Sequence, residues 1–327
     1  MKKTFTVLLI IVAVAAFLTG CSKKSGSDGA VVSKGGTQYL NMATGGTGGT
    51  YYALGADLAN MISKAVENTE VTASVGNGSA SNIRELNSGD ADLAFSQNDV
   101  ATYAYTGTET FKGEKITSFG VIGNLYPEVV QAAFCDNTGI SSIKDFKGRR
   151  ISVGAAGSGV YQSVVDFLDA SGMSLDDIQA QYLSFTESAD AIKNGQIDAA
   201  FVTAAIPNPA IQDLAATRNI EMLNLSDEAV KKLCASKPYV EYTIKAGTYK
   251  GQDNDAKTVA VTALLLASDK LDETTVYNIT KAIYESTDML SHDKKSDISI
   301  KTALDGFDES MLHPGAAKYY REKGLIK

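Results

Sequence analysis

Residue types that carry most catalysis are scarce in this chain. Its 327 residues include two histidines and three cysteines. His292 and His313 both fall near the C-terminus, outside the glycine-rich loops described below. The patterns H-E-x-x-H, C-x-x-C and G-x-S-x-G are missing, which removes the usual zinc-peptidase, dithiol and serine-hydrolase arrangements. No enzyme activity, metal or cofactor is therefore expected. Basic charge is also short. Without Lys2 and Lys3, 28 basic residues face 38 acidic ones, a net of −10. A phosphate backbone is held by concentrated Lys and Arg, so no nucleic acid partner is expected. Long apolar runs are missing after the N-terminus: the longest, residues 258–267, has the length of a strand and not of a membrane span.

The N-terminus is different. Lys2 and Lys3 precede an unbroken apolar run of eleven residues, 7–17, followed by Leu18-Thr19-Gly20-Cys21. A run this short that ends in small residues reads as a signal peptide over residues 1–20 rather than a span. Cleavage before Cys21 would leave a lipidated N-terminal cysteine, and several acyl chains together anchor a protein stably. Residues 21–36 are rich in Ser, Gly and Lys and read as a flexible tether. The 291 residues from Thr37 to Lys327 suffice for two lobes. The expected location is extracytoplasmic and membrane-anchored. Cys135 and Cys234 lack a framework pattern and read as two buried free thiols, although one disulfide is open to them.

Strands and helices alternate from residue 37 to residue 226. Residues 37–43 read as a strand, Leu54, Leu58, Met61, Ile62 and Ala65 as one face of a helix, and 71–75 as a second strand. A helix over 81–87 and a strand over 91–96 complete a βαβαβ unit. The order recurs: strand 149–153, a helix facing inward through Val160, Val164, Phe167 and Leu168, strand 181–184, helix 188–194, strand 197–203. ELNSGDADLAFSQ (85–97) parallels AIKNGQIDAAFVT (191–203), and the spacing from glycine loop to Asp is 47 residues for Gly45–Asp92 and 44 for Gly154–Asp198. One α/β lobe is thus used twice, each a mostly parallel sheet with helices on its faces. Lobe 1 is assigned to 37–127, lobe 2 to 128–255, and a return strand with the rest of lobe 1 to 256–327. Strands 118–125 and 129–135, broken by Pro127, form one connection, and 258–267 the other, as in a hinged clamp.

Ligands of open α/β sheets bind beyond the carboxyl ends of the strands. Two loops fall there. The first, 44–52, offers Thr44, Gly45, Thr47, Gly48 and Thr50 as donors and close-approach points, with Tyr51 or Tyr52 to cover an apolar part of a ligand. The second lobe offers Gly157, Ser158 and Gly159. Helix N-termini at such loops suit a carboxylate. Ser79, Asn82, Gln97, Asp99, Tyr126 and Thr203 are the other candidates. Asp99 serves equally well as a helix cap. Arg84 is placed either to reach an anion or to stand as a solvated helix charge. Neither glycine loop has the phosphate-loop or dinucleotide spacing.

At these residues the chain resembles the TAXI solute receptors, the binding subunits of one branch of tripartite ATP-independent periplasmic (TRAP) transporters. The matching segments are TGGTGGTYYALG (44–55), SGDADLAFSQND (88–99), GNLYPE (123–128), DFKGRRISVGAAGSG (145–159), AGTYKGQD (246–253), TVAVTALLLAS (258–268) and LHPGAAKYYREKG (312–324). The resemblance implies a two-lobed periplasmic-binding fold of the second type. It implies a small organic acid or amino acid as ligand, such as glutamate or 2-oxoglutarate, delivered to a sodium-coupled TRAP permease. It places ligand contacts on Thr44 to Tyr52, Gln97 and Gly157 to Gly159. The sister receptor branch uses a signature arginine in its second lobe, and no equivalent stands here. A monomeric binding module is the first reading; a signalling receptor subunit, or an enzyme on the same fold, are the alternatives.

Overall fold

The computed structural model describes residues 36–327. The signal segment, Cys21 and the tether up to residue 35 lie outside the described residues. The chain builds β1 (Gln38–Ala43), α1 (Thr50–Ala65), β2 (Thr69–Ser74), α2 (Ser79–Ser88), β3 (Leu93–Gln97), α3 (Asn98–Thr106) and a long strand β4 (Phe119–Cys135). Then come β5 (Arg150–Ser152), α4 (Val160–Ala170), β6 (Gln179–Gln181), α5 (Phe185–Lys193), β7 (Ala199–Ala204), α6 (Pro209–Thr217), β8 (Ile220–Met222), α7 (Asp227–Ser236) and β9 (Val240–Ile244). A second long strand, β10 (Ala256–Ser268), leads to α8 (Glu273–Glu285) and α9 (Pro314–Glu322).

The strands join in the order β2-β1-β3-β10-β4-β7-β5-β6, with β8 on β4 and β9 on β10. β1 is parallel to β2 and β3, and β5 is parallel to β6 and β7. Between these parallel groups β4 and β10 run antiparallel to each other. β10 meets β3 over Ala263–Ala267, whereas β4 meets β7 over Val129–Phe134. Each long strand therefore starts in one lobe and ends in the other. Their apolar runs are explained by burial on both faces: Leu265 enters the core under α1 and α8, while its neighbours Leu264 and Leu266 enter the core under α2 and α3. In the second lobe Val130, Ala132 and Phe134 face α4 and α7, and Val129 and Ala133 face α5 and α6. Alternation with period two appears only as a choice between two cores.

The repeat has a physical basis. Asp92 accepts the backbone N–H of Asn41 at 2.8 Å, and Asp198 accepts that of Arg150 at 2.8 Å. In both lobes an aspartate before the third strand of the unit ties down its first. Arg150 also pairs with Asp198 at the end of the strand away from the cleft.

Three expectations shift. β4 does not break at Pro127: there it pairs only with Thr262 of β10, since β7 begins its pairing at Val129. Pro127 is exposed at that local edge, where a missing N–H is tolerated. The strand expected over 181–184 sits at Gln179–Gln181, because Ser184 and Glu187 close a capping box that starts α5 early. Cys135 and Cys234 are free, as expected, but half-buried rather than buried.

The C-terminal helices dock on the first lobe through two hydroxyls. Tyr284 donates to the carbonyl of Asn124 at 2.8 Å and Tyr320 to that of Ile122 at 2.7 Å. Gly123 lies between these carbonyls, and a Cβ there would collide with both hydroxyls and come within 3.1 Å of the Ala303 carbonyl. Gly123→Ala is expected to cost about 1–3 kcal/mol, as overpacking does, seen as a lower urea midpoint. An unchanged midpoint would show that α8 and α9 shift freely.

Candidate functional site

A cavity of about 330 Å³ lies between the lobes. The first lobe contributes residues 45–51, the turn 75–79, and Gln97; the second contributes Ala155, Ser158, Gly159, Val160, Ser184, Phe185, Glu187, Thr203 and Ala204. Glu128 enters from β4. The volume is at the small end of ligand pockets. The lobes touch around it: Ser81 N–H donates to the Gly157 carbonyl at 2.9 Å, and Asn208 Nδ2 to the Gly48 carbonyl at 3.1 Å. Farther out, Lys237 Nζ bridges Glu109 of the first lobe at 2.8 Å and Asp166 of its own at 3.3 Å.

The residues preceding α1, α2, α3, α4 and α5 all line this cavity: Gly49, Gly78, Gln97, Gly159 and Ser184. A helix start leaves backbone N–H groups without intrahelical acceptors. α6, α7, α8 and α9, which begin elsewhere, each supply a side-chain cap, from Asn208, Ser226, Asp272 and His313. α5 is closed by Ser184 and Glu187. α1, α2, α3 and α4 have no side-chain cap. Among the described residues, the α-helices without a side-chain cap are thus those that start at the cavity, with the Ser81 N–H of α2 taken by the Gly157 carbonyl and the Val100 N–H of α3 by Asp99. Ser158, buried and lining the same space, has a hydroxyl with no protein partner.

Among the described residues no Lys, Arg or His lines the cavity, but two carboxyls do. Glu128 is 2% exposed and accepts the Tyr51 hydroxyl at 2.7 Å. Burial pushes Glu128 up to about 8; the Tyr51 hydroxyl opposes the rise and the charge of Asp99 adds to it. Burial and the Glu128 charge raise Tyr51 far above the usual tyrosine range, so it remains a donor. Burial also lifts Asp99 to about 7. Glu187, in contrast, is held below the ordinary range by the Ser184 N–H and stays charged.

Of the residues expected from sequence, Gly45, Thr47, Gly48, Thr50, Tyr51, Ser79, Gln97, Ser158, Gly159 and Thr203 line the cavity. Six others do not. Thr44 is turned to the Ser74 carbonyl, and Asn82 clamps the carbonyls of Thr44 and Phe95, each at 2.8 Å. Asp99 accepts from the Val100 N–H and Gln97 Nε2, which holds Gln97 in place. Tyr126 is buried in the core beside Tyr51, Gly157 meets Ser81 at the lobe contact, and Tyr52 is half-buried outside the lining. Arg84 is used at the surface, paired with Glu114 at 2.8 Å and over the Phe111 ring. Tyr51 packs its ring on Phe95 and spends its hydroxyl on Glu128; the aromatic surface it was expected to offer comes also from Phe185. Glu128, Ser184, Phe185 and Glu187 were missed. The S-x-x-E signature of Ser184 and Glu187 was readable; Glu128 carried no local signal beyond its place in GNLYPE.

Residues 42–324 match the profile of the NMT1-like family. Solved structures share the architecture at low identity. The alkanesulfonate-binding protein SsuA from Xanthomonas axonopodis pv. citri, bound to MOPS, is 14% identical with a TM-score of 0.51, covering 89% of this chain and 95% of that one. PhnD1 from Prochlorococcus marinus (MIT 9301), in complex with methylphosphonate, is 12% identical with a TM-score of 0.52, over 88% and 99%. The zinc-bound ligand-binding component of an ABC-type import system from Staphylococcus aureus is 12% identical with a TM-score of 0.51, over 89% and 93%. These likenesses establish the fold: two lobes of the type II periplasmic-binding class.

Two outcomes follow from the geometry. A Cβ at Gly159 would strike Gln97 and come within 2.9 Å of Ser79 Oγ, while the αR backbone there accepts alanine. Gly159→Ala is expected to hold the lobes apart, weakening solute binding by about tenfold or more without lowering the melting temperature. Small-angle scattering that shows the variant closing like the parent would contradict this. Second, Glu128 has its proton affinity raised by folding. Its contribution to the stability of the solute-free protein is complete below about pH 4.3, the unfolded value, and is lost as pH rises through about 8. Glu128→Gln should therefore raise the melting temperature more at pH 8.5 than at pH 5; equal changes would refute the burial cost.

Proposed function

The chain belongs to the NMT1-like family, and on that premise we propose that it is an extracytoplasmic solute-binding protein that closes on a small organic acid and passes it to a membrane permease. The observation that carries this reading is the set of four helix N-termini without side-chain caps around one interlobe cavity. An anionic oxygen accepts from such N–H groups and is favoured by the helix dipoles. MOPS and methylphosphonate, held by two proteins of the same fold, are also small acids. The finer reading is a receptor of the TAXI branch, anchored through Cys21, binding a glutamate- or 2-oxoglutarate-like solute as a monomer and serving a sodium-coupled TRAP permease. Ligand contacts are assigned to the ten expected residues that line the cavity. Binding needs no chemistry from the protein, only solute–water hydrogen bonds exchanged for those of both lobes.

Isothermal titration of the full chain with amino acids, 2-oxo acids and dicarboxylates should give saturable heat for at least one member. No heat with any of them overturns the solute class. Uptake in vesicles carrying the chain and its permease should need a sodium gradient; uptake driven by ATP hydrolysis instead would remove the TRAP assignment while leaving the binding role.

A further inference from the structure

We propose that Glu128 selects solutes bearing a cationic amino group beside their carboxylate, so that the bound molecule is an amino acid rather than a plain dicarboxylate or 2-oxo acid. This deepens the binding role proposed above and rests on it. The cavity lining holds two kinds of group. One is donors: the starts of α1, α2, α3 and α4, which have no side-chain cap, and the hydroxyl of Ser158, without a partner among the described residues. These suit an anion. The other is acidic: Glu128 lines the cavity from β4 and Glu187 from α5, and among the described residues no Lys, Arg or His lines it. A second solute carboxylate beside these carboxyls would meet no cation.

Glu128 is also held for such a role. The Tyr51 hydroxyl fixes one carboxyl oxygen at 2.7 Å. Tyr51 is fixed in turn by its ring against Phe95, centroids 4.9 Å apart. A buried carboxyl with only a neutral donor is costly to ionise, and an ammonium group restores the balance. The groups around it are Tyr51 on α1, Tyr126 on its own strand and Asp99 on α3; Glu187 is the other carboxyl in the lining. None of them is a cation. The charge that suits Glu128 must arrive with the solute. At pH 7 the carboxyl, pushed up to about 8 when the cavity is empty, gives up its proton as an ammonium group binds. The bound pair then holds one positive and one negative charge.

The test uses matched pairs with one carbon skeleton: glutamate with 2-oxoglutarate, aspartate with oxaloacetate, alanine with pyruvate. In isothermal titration of the full chain at pH 7, the amino member of the preferred pair should bind at least about 30-fold more tightly, as loss of a buried charge partner requires. Titration in buffers of different ionisation enthalpy should show proton release with the amino member. Glu128→Gln should bring the two members within about threefold of each other, chiefly by weakening the amino one. Tyr51→Phe keeps the carboxyl and should keep the preference, which guards against a folding defect in the first variant. A 2-oxo acid that binds as tightly as its amino partner in the unaltered protein overturns the inference and spares the binding role. So does a ratio unchanged by Glu128→Gln. Binding of neither member of any pair overturns both.

Discussion

Backbone N–H groups at the start of a helix need acceptors, and this protein meets that need in two ways. Where a helix begins outside the cavity lining, a side chain caps it: Asn208, Ser226, Asp272 and His313 each do so. Where a helix begins at the cleft, four of five have no such cap. Asparagine, serine and aspartate are the stronger choices for a free helix. Glycine at Gly49, Gly78 and Gly159 instead supplies no side-chain cap and keeps side-chain bulk out of the space between the lobes. The same residues that weaken the helix ends leave room for an acceptor from outside to approach them.

The two long strands join the lobes. β4 and β10 pair with each other from Phe119 and Ser268 to Val129 and Ala260, and beyond that β4 runs beside β7 and β10 beside β9. The pair is irregular: its register shifts between Ala263 and Leu264 and again between Leu265 and Leu266, and Pro127 is exposed beside them. Glu128 follows that proline directly. Its carboxyl lies on a strand shared by both lobes, lines the cavity and is tied to Tyr51 of the first lobe.

Local features were legible in the sequence and long-range ones were not. The lobes, their βαβαβ order and the paired glycine loops could be read because each rests on periodicity within about twenty residues. Asp92 and Asp198 stood out through their matched distance from those loops, and each proves to tie the same strand ends. Pro127 was misread because its tolerance depends on which neighbour strand is missing beside it, and pairing is not visible in a local pattern. Asn82 and Thr44 looked like ligand donors since they are polar and lie beside glycines. Their hydrogen bonds to the carbonyls of Phe95 and Ser74 span 13 and 30 residues and turn them into supports for the loop. Glu128 was overlooked for the same reason in reverse: its partner Tyr51 lies 77 residues away.

A cavity that gathers helix N-termini and also contains two carboxyls offers a solute both donors and negative charge. Helix N-termini act within about one turn, so the α1, α2, α3 and α4 ends favour an anion close to their own backbone. Glu187 accepts the Ser184 N–H and hydroxyl in the α5 cap through one carboxylate oxygen, stays charged and adds a fixed negative field. Glu128 has a single neutral donor. A solute with one negative group answers the helix ends alone; one that also carries a positive charge answers Glu128 as well. In the amino-acid reading, discrimination comes from the carboxyls that repel a second anion as much as from the donors that attract the first.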